Sequence, residues 1–394
     1  DFFLSLAASS SRNSRLVFVA TRQVTRTLTE ARKCHARKYH GPDSLLYSAI
    51  YPVVFVMKVF GLAPYDFTGD RIIPSNCCLL FSFAFMGIYC HIIYIVYVTV
   101  NYLVVMYDLV STMFTRKTFC RIWNVQQDFD ERLSQLGYPR KEVKTRIAAW
   151  TLLISQIVVW TAVNQSGMLA FRETWLFNVS YMCPYLGSAA SVYKFFGMAS
   201  FLGQRFHQLN QIARENLPSR ATFVRTITRD NVYSKKTIQE LHDELMLSGE
   251  SLSSLYSWSL FFWLGNLCIH SISNLYFIID WVILTDGCDI PWCLIFNMCC
   301  WLLGFMGQLL ALHIVCDYAI NEVTSIAFPK AIVHDRSTVR IFFLQDTVRT
   351  TLHFLNRRLH FSAGGLFDVK LSLLCSIVGV MSTYLIILLQ FPSA

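Results

Sequence analysis

Long apolar runs separated by short charged stretches dominate the chain, and their lengths predict helices that cross a bilayer. The first run, residues 77–115, is 39 residues long. At about 1.5 Å per residue one helix of that length would measure roughly 60 Å, twice the hydrocarbon thickness. Two spans fit only if almost no loop joins them, near Thr99 to Tyr102, which points to a loop missing from the numbering. One span running on into the cytoplasm is the alternative. Further spans are predicted at 147–169, from 177 past Lys194 towards Arg205, at about 255–281, at 292–316, and at 366–391. Residues 45–63 (LLYSAIYPVVFVMKVFGLA) are also apolar, but Pro52 and Lys58 break them and Pro42 and Pro64 bound them. A re-entrant or interfacial helix over 45–64 is expected there instead of a span.

The charged stretches orient these spans. Residues 12–38 carry eight basic side chains against the single acid Glu30, and 116–146 carry another eight mixed with acids. Residues 205–245 are strongly charged, and 317–360 are basic and amphipathic, with Val339, Phe342, Leu352, Leu355 and Leu359 on a helical stripe. The connection 282–291 has no Lys or Arg but contains Asp286 and Asp289. Basic loops lie inside. The expected fold is therefore an all-α membrane protein with seven transmembrane helices, a cytoplasmic N-terminus, an external C-terminus and a cytoplasmic helical anchor region. The parity closes if 45–63 does not span while 77–115 spans twice, or if the reverse holds. The chain divides accordingly into a basic segment (1–44), the re-entrant helix (45–64), spans one to six with a ligand pocket and cytoplasmic extensions (77–316), anchor helices (317–365) and a last span (366–391). No repeat of 20–50 residues is visible, which disfavours a transporter with duplicated halves.

Composition agrees. Of 394 residues 54% are hydrophobic and 15% charged, with a mean hydropathy of +0.42. A soluble globular chain is about 25% charged. The net charge of +9 sits between the apolar runs, so it marks topology and argues against a nucleic-acid partner. Most of the thirteen cysteines lie within apolar runs (Cys77, Cys78, Cys90, Cys268, Cys299, Cys300, Cys375), where Cys acts as a small hydrophobe. Only Cys288 and Cys293 flank a short external loop as a bridge would. The chain starts at Asp1, so a preceding segment is expected, and DFFLSLAASS lacks the basic leader of a signal peptide. The sequons at Asn164 and Asn178 lie too close to the membrane to be good glycosylation acceptors.

Nothing points to catalysis. No HExxH, GxSxG, P-loop or dinucleotide-binding glycine pattern occurs, and the ten His form no metal constellation, so no metal or cofactor is expected. Polar residues inside the spans carry the stronger signal, because they are costly in lipid and face a bundle interior or water. Asn266, His270 and Asn274 fall at i, i+4, i+8, on one helix face. The outer halves of neighbouring spans add Trp160, Asn164, Gln165, Tyr181, Tyr185, Asn297 and Trp301. Two readings stay open. One is a pocket for a small polar-aromatic or sugar-like ligand. The other is interhelical hydrogen bonding with interfacial aromatic anchoring. The last span carries Ser372, Ser376, Gly379, Thr383, Ile387 and Gln390 on one stripe, with Leu373, Val380, Tyr384 and Leu388 opposite. This stripe either lines a pore, with Ile387 as a constriction that gates by dewetting, or packs closely against another helix.

The closing residues Thr383-Tyr384-Leu385-Ile386-Ile387-Leu388-Leu389-Gln390-Phe391 resemble the TYhhhhhQF signature (h is apolar) that ends insect gustatory receptors. Phe361-Ser362-Ala363-Gly364-Gly365-Leu366-Phe367-Asp368 looks like that family's lead-in to its last helix, and Phe60-Gly61-Leu62-Ala63-Pro64-Tyr65 is similar to its N-terminal apolar segment. With the inverted topology the likeness covers nearly the whole chain. It implies a homotetrameric ligand-gated cation channel in the plasma membrane, opened by a small tastant. The pocket would lie in the outer half of spans two to six, and the seventh helices would line a central pore with Gln390 and Phe391 at its outer mouth. Cations, a tastant and membrane lipids are then the partners. Leu385 stands where sugar-type members carry an acid, which tilts the chain towards the bitter-type or fructose-like branch.

Other seven-helix classes fit less well. A G-protein-coupled receptor would place its N-terminus outside, and no DRY or NPxxY motif stands where that class carries one. A transporter lacks the internal symmetry, and a membrane enzyme lacks a catalytic constellation.

Overall fold

The computed structural model describes residues 45–95, 100–135, 138, 142–216, 229–284, 292–325 and 357–390. Chain order is α1 (Leu45–Val59), β1 (Tyr65–Thr68), β2 (Arg71–Pro74), α2 (Asn76–Ile95), α3 (Val100–Gln135), α4 (Glu142–Phe171), α5 (Trp175–Asn216), α6 (Arg229–Leu284), α7 (Trp292–Thr324), β3 (Ser362–Ala363), β4 (Phe367–Asp368) and α8 (Leu371–Gln390). It is an all-α, seven-helix membrane fold with one additional short helix.

That short helix is α1. Its 15 residues extend about 22 Å, less than the ~30 Å of a hydrocarbon core. The apolar run 77–115 is two helices, not one. The Arg116 guanidinium donates to the Ser75 carbonyl and the Asn76 side chain, each at 3.1 Å, while Tyr89 and Val105 both face Gly187 of α5. Those contacts make α2 and α3 antiparallel. Residues 96–99 lie outside the described residues, and Tyr102 is already a buried residue of α3.

Among the described residues four helical segments are apolar and long enough to span by composition: Thr145–Phe171, Thr237–Val282, Trp292–Thr324 and Leu371–Gln390. Helices α3 and α5 miss that threshold because they carry buried polar groups, Asn101 and Asp108 on one and Asn178, Ser188, Ser191 and Lys194 on the other. Large apolar side chains such as Leu80, Phe114, Ile147 and Leu303 stand exposed on the outer surface, as a lipid solvent allows.

Helices α3, α5, α6 and α7 surround the core, and α4 packs between α7 and α1. Fully buried Phe195, Leu202, Trp263 and Leu309 fill the centre. Helix α5 crosses α7 so closely at Gly203 that a Cβ there would lie 2.6 Å from the Tyr318 ring. The expected spans at 177–205 and 255–281 are parts of much longer rods. With 42 and 56 residues, α5 and α6 reach about 63 and 84 Å, so both project beyond a bilayer where the chain is most basic. That side is called the basic end below.

Two sequence expectations need correction at the start of the last span. Residues 362–368 form a hairpin, and the helix begins only at Leu371. The turn needs positive φ at Gly364 and Gly365 (60° and 75°), which a side chain would resist. Leu359 is not on a helical stripe. It lies in an irregular segment just before the hairpin, 1% exposed, against Gly249 of α6. The other stripe residues, Val339, Phe342, Leu352 and Leu355, lie outside the described residues. The hairpin docks on α6 through Gly364 N–H to Ser257 carbonyl (2.9 Å) and Ser253 hydroxyl to His360 carbonyl (2.6 Å). Phe361, fully buried, meets Phe195 edge-on at 5.6 Å.

Candidate functional site

Four helices bring five rings together away from the basic end. Tyr185 of α5 lies 4.7 Å from Trp301 and 5.4 Å from His270, ring centre to ring centre. Phe305 stacks on both His270 (5.0 Å) and Trp301 (5.5 Å), and Trp160 of α4 meets Trp301 edge-on at 5.5 Å. Offset and edge-on pairs of this kind add about 0.5–1.5 kcal/mol each beyond burial. Trp160, Tyr185 and Phe305 are buried, while His270 and Trp301 are half-buried.

Amides surround the rings. Asn266 Nδ2 donates to Asn101 Oδ1 of α3 at 3.0 Å. Asn297 donates to the Val163 carbonyl and the Ser166 hydroxyl, and Asn178 to the carbonyl and side chain of Asn164. Asn274 donates back to the His270 carbonyl within its own helix. Several buried atoms have no hydrogen-bond partner among the described residues: Asn101 Nδ2, Asn266 Oδ1, His270 Nε2, Ser271 Oγ and Asn297 Oδ1. Such atoms cost about 1–3 kcal/mol each when unpaired, which makes them receptive to a polar group from outside.

The structure thus gathers Trp160, Tyr185, His270 and Trp301, with Asn266 beside them. Gln165 is exposed on the other side of α4 and does not join. Tyr181 falls within α5, but its side chain lies outside the described residues. The sequon residues Asn164 and Asn178 are buried against each other, which removes both as glycan acceptors. Cys293 is exposed at the start of α7, and Cys288 lies outside the described residues. Phe305 and Asn101 are members that sequence spacing missed. Phe305 lies four residues after Trp301, one turn along, and that spacing was the available signal.

Helix α8 differs from every other spanning helix. Among Leu371–Gln390 only Met381 is buried. Leu373, Leu374 and Ile377 pack on the core and Met381 continues that face, which abuts α6 and α7. Ser372, Ser376, Gly379, Thr383, Ile387 and Gln390 are all exposed, on the far side of the helix. Of the bulky residues expected opposite, Leu373 packs inward, whereas Val380, Tyr384 and Leu388 are exposed. Phe391 lies outside the described residues.

Charged groups occupy the same helices nearer the basic end. Asp108 of α3, 3% exposed, accepts from Trp263 Nε1 of α6 at 2.7 Å. Lys194 of α5, 8% exposed, donates to the Leu62 carbonyl at 2.8 Å and sits 4.4 Å from the Phe119 ring centre. A cavity of about 20 Å³ lies between the two, lined also by Tyr65, Ser191, Tyr256 and Ser259. That is room for a water molecule. About three turns further along α5, Arg205 grips Asp130 with two hydrogen bonds (2.9 and 2.6 Å) and Gln126 with a third (3.1 Å). No cluster of three potential metal ligands occurs among the described residues.

The fold matches known proteins. The 7tm chemosensory receptor family matches residues 75–394, and the chain belongs to that family. A Drosophila melanogaster relative named for gustatory receptor 2a is 23% identical over 271 residues, 61% of this chain and 62% of the relative. The chain therefore spans less than two thirds of that relative's length. The insect olfactory receptor OR5 from Machilis hrabei shares the fold, with a TM-score of 0.57, 15% identity and coverage of 88% of this chain and 98% of that one. Its complex with eugenol gives a TM-score of 0.61 at 14% identity over the same shares. The protein is thus a multi-pass membrane protein of the chemosensory receptor family, and the expected membership of the insect gustatory receptor family is borne out.

Proposed function

We propose that the protein is a gustatory receptor that works as a ligand-gated, non-selective cation channel, opened by a small extracellular tastant. Four copies assemble in the plasma membrane, with the basic end and the N-terminus in the cytoplasm. The observation that carries the reading is α8. A lone subunit leaves almost every side chain of this helix uncovered, and the uncovered face bears a small or polar group in each turn from Ser372 to Gln390 except at the apolar Ile387. A helix lying wholly in lipid has no use for such a stripe, whereas copies meeting around an axis would line a pore with it. The binding layer is the ring cluster of Trp160, Tyr185, His270, Trp301 and Phe305, whose unpaired amide and imidazole atoms suit a ligand with an aromatic body and a polar group. The eugenol-bound olfactory receptor shares the fold, which supports a small-molecule ligand.

The test is electrical. Cells expressing the protein, with G-protein signalling blocked, should pass cation current when a tastant panel is applied. Ile387→Ser should hydrate the constriction and give a constitutive leak, Gln390→Ala should change unitary conductance, and Leu388→Ser should reduce surface assembly more than permeation. Current abolished by the G-protein block would assign signalling to a coupled receptor instead. Unchanged conductance in Gln390→Ala, with Ile387→Ser lost from the surface, would make the stripe a packing face.

A further inference from the structure

A second cavity, unlike the ring layer, opens between α1, α4 and α5 towards the basic end. Its volume is about 110 Å³, it is half-enclosed, and its walls are almost wholly apolar. Small residues make the opening: Ala148 and Ala149 on α4 and Gly197 on α5. A Cβ built on Gly197 meets nothing within 4 Å, so the helix wall itself is recessed there. Val54 and Met57 of the short helix α1 form the roof, and Trp123 and Phe201 close the inner side.

We infer that this crevice is a binding site for one acyl chain of an anionic phospholipid of the adjoining leaflet. Three observations select that occupant. The volume is below the ~150 Å³ that encloses a benzene ring in a protein core, and the crevice is open. A slender flexible chain can enter it end-on, whereas it is too small to enclose a whole ring-bearing ligand. The α4 surface beside it stays apolar and exposed through Val143, Ile147 and Ile154, so a chain passes from bilayer to crevice without crossing water. Arg146, exposed and one turn from Ala149, forms no ion pair with a described residue and stands where an anionic headgroup would lie. The back wall of the crevice includes Tyr65, Phe119 and Lys194. These residues also line the water-sized cavity beside Asp108, so a chain in the crevice abuts the Lys194 clamp on Leu62. The membrane setting follows from the family. Only the choice of the cytoplasmic leaflet rests on the orientation proposed above.

The experiment uses purified full-length protein in nanodiscs of phosphatidylcholine with a small fraction of phosphatidylglycerol carrying a diazirine near the end of one acyl chain. After illumination, peptides containing Ala148–Leu152 and Gly197–Ser200 should be labelled more strongly than the lipid-facing peptide around Ile157 and Val158. Gly197→Phe fills the crevice and should cut labelling of the first two peptides on the order of tenfold, leaving the third unchanged. Should that variant not fold, Ala149→Leu serves the same end. Arg146→Gln should erase the preference for phosphatidylglycerol over an equally labelled phosphatidylcholine. Even labelling along α4 would overturn the inference. So would full labelling of Gly197→Phe, or cross-links from a photoreactive residue at position 197 to residues 1–44 instead of lipid. None of these readouts needs an open channel, so a protein that labels but conducts nothing would refute the proposed function and keep the lipid site.

Discussion

Helices α3, α5, α6 and α7 hold one another in two different ways along their length. In the ring layer the contacts are Tyr185, Trp301, Phe305 and His270 in offset or edge-on pairs, with single amide bonds such as Asn266 to Asn101. About 30 Å along α5, Arg205 spends its guanidinium on three hydrogen bonds to Asp130 and Gln126, and Gln126 reaches on to Ser248 of α6 at 3.4 Å. Around it Arg132 pairs with Glu244 (2.7 Å), and Arg357 with Asp243 (3.2 Å). Dispersion between rings changes little when one ring slides past another, and an unpaired amide gains by meeting a ligand. A bidentate ion pair has one good geometry and a steep cost for leaving it. One end of the bundle is built to accept a change and the other to hold register. Between them lies the Asp108–Trp263 bond, two turns from His270 on the same helix face.

The largest effect should come from the holding end. Asp130→Ala takes the carboxylate from a guanidinium that is 4% exposed, at a cost of about 3–5 kcal/mol. Melting followed by fluorescence size-exclusion should show this variant largely unfolded. Asp130→Leu combined with Arg205→Met should recover most of the loss, because an apolar pair of similar volume avoids the desolvation cost. If Asp130→Ala melted like the wild type, the contrast between the two layers would collapse.

A smaller effect, and a functional one, belongs to the ring layer. His270→Ala removes the ring between Tyr185 and Phe305 and should shift agonist sensitivity roughly ten- to a hundredfold, the equivalent of about 1–3 kcal/mol, with surface expression intact. Lost expression and unchanged sensitivity in the surviving receptors would make this layer structural glue like its counterpart.

The sequence showed the two layers unequally. The helical face of Asn266, His270 and Asn274 was legible from spacing, and so was the contribution of Trp160, Tyr185 and Trp301. Phe305 was not, because one Phe among 31 in apolar runs carries no mark until the fold sets it against His270. Gln165 misled because a polar residue one step along a helix from Asn164 points elsewhere by about 100°. Lys194 was visible inside a predicted span, yet its partners, the Leu62 carbonyl and the Phe119 ring, come from 132 and 75 residues away, and spacing is silent on such pairs. The hairpin at 362–368 lies within the motif Phe361–Asp368, whose residue pattern alone gives no strand pairing. A double glycine signals a turn, but the apolar run after it drew the expected helix boundary upstream.

The smallest effect tests whether exposed charges at the basic end resemble the buried clasp or merely decorate it. Lys58 of α1 donates to Asp66 of the β1–β2 hairpin at 2.6 Å, with the two side chains 36% and 45% exposed. That hydrogen bond, aided by Ser75, holds the Asp66 carboxyl below its usual range against the opposing effect of burial. A carboxyl depressed in the folded state stabilises fully above its unfolded pKa of about 3.9 and loses that contribution as pH falls through the lower folded value. Solvent screening keeps the contribution within about 1 kcal/mol. Hydrogen exchange of amides 65–74 in Lys58→Met, relative to wild type at each pH, should be modestly faster at pH 7. The difference should vanish in acid once Asp66 is protonated in both proteins. A difference that persisted unchanged below that range would mean that Lys58 holds the hairpin through its methylenes, by packing and not by charge.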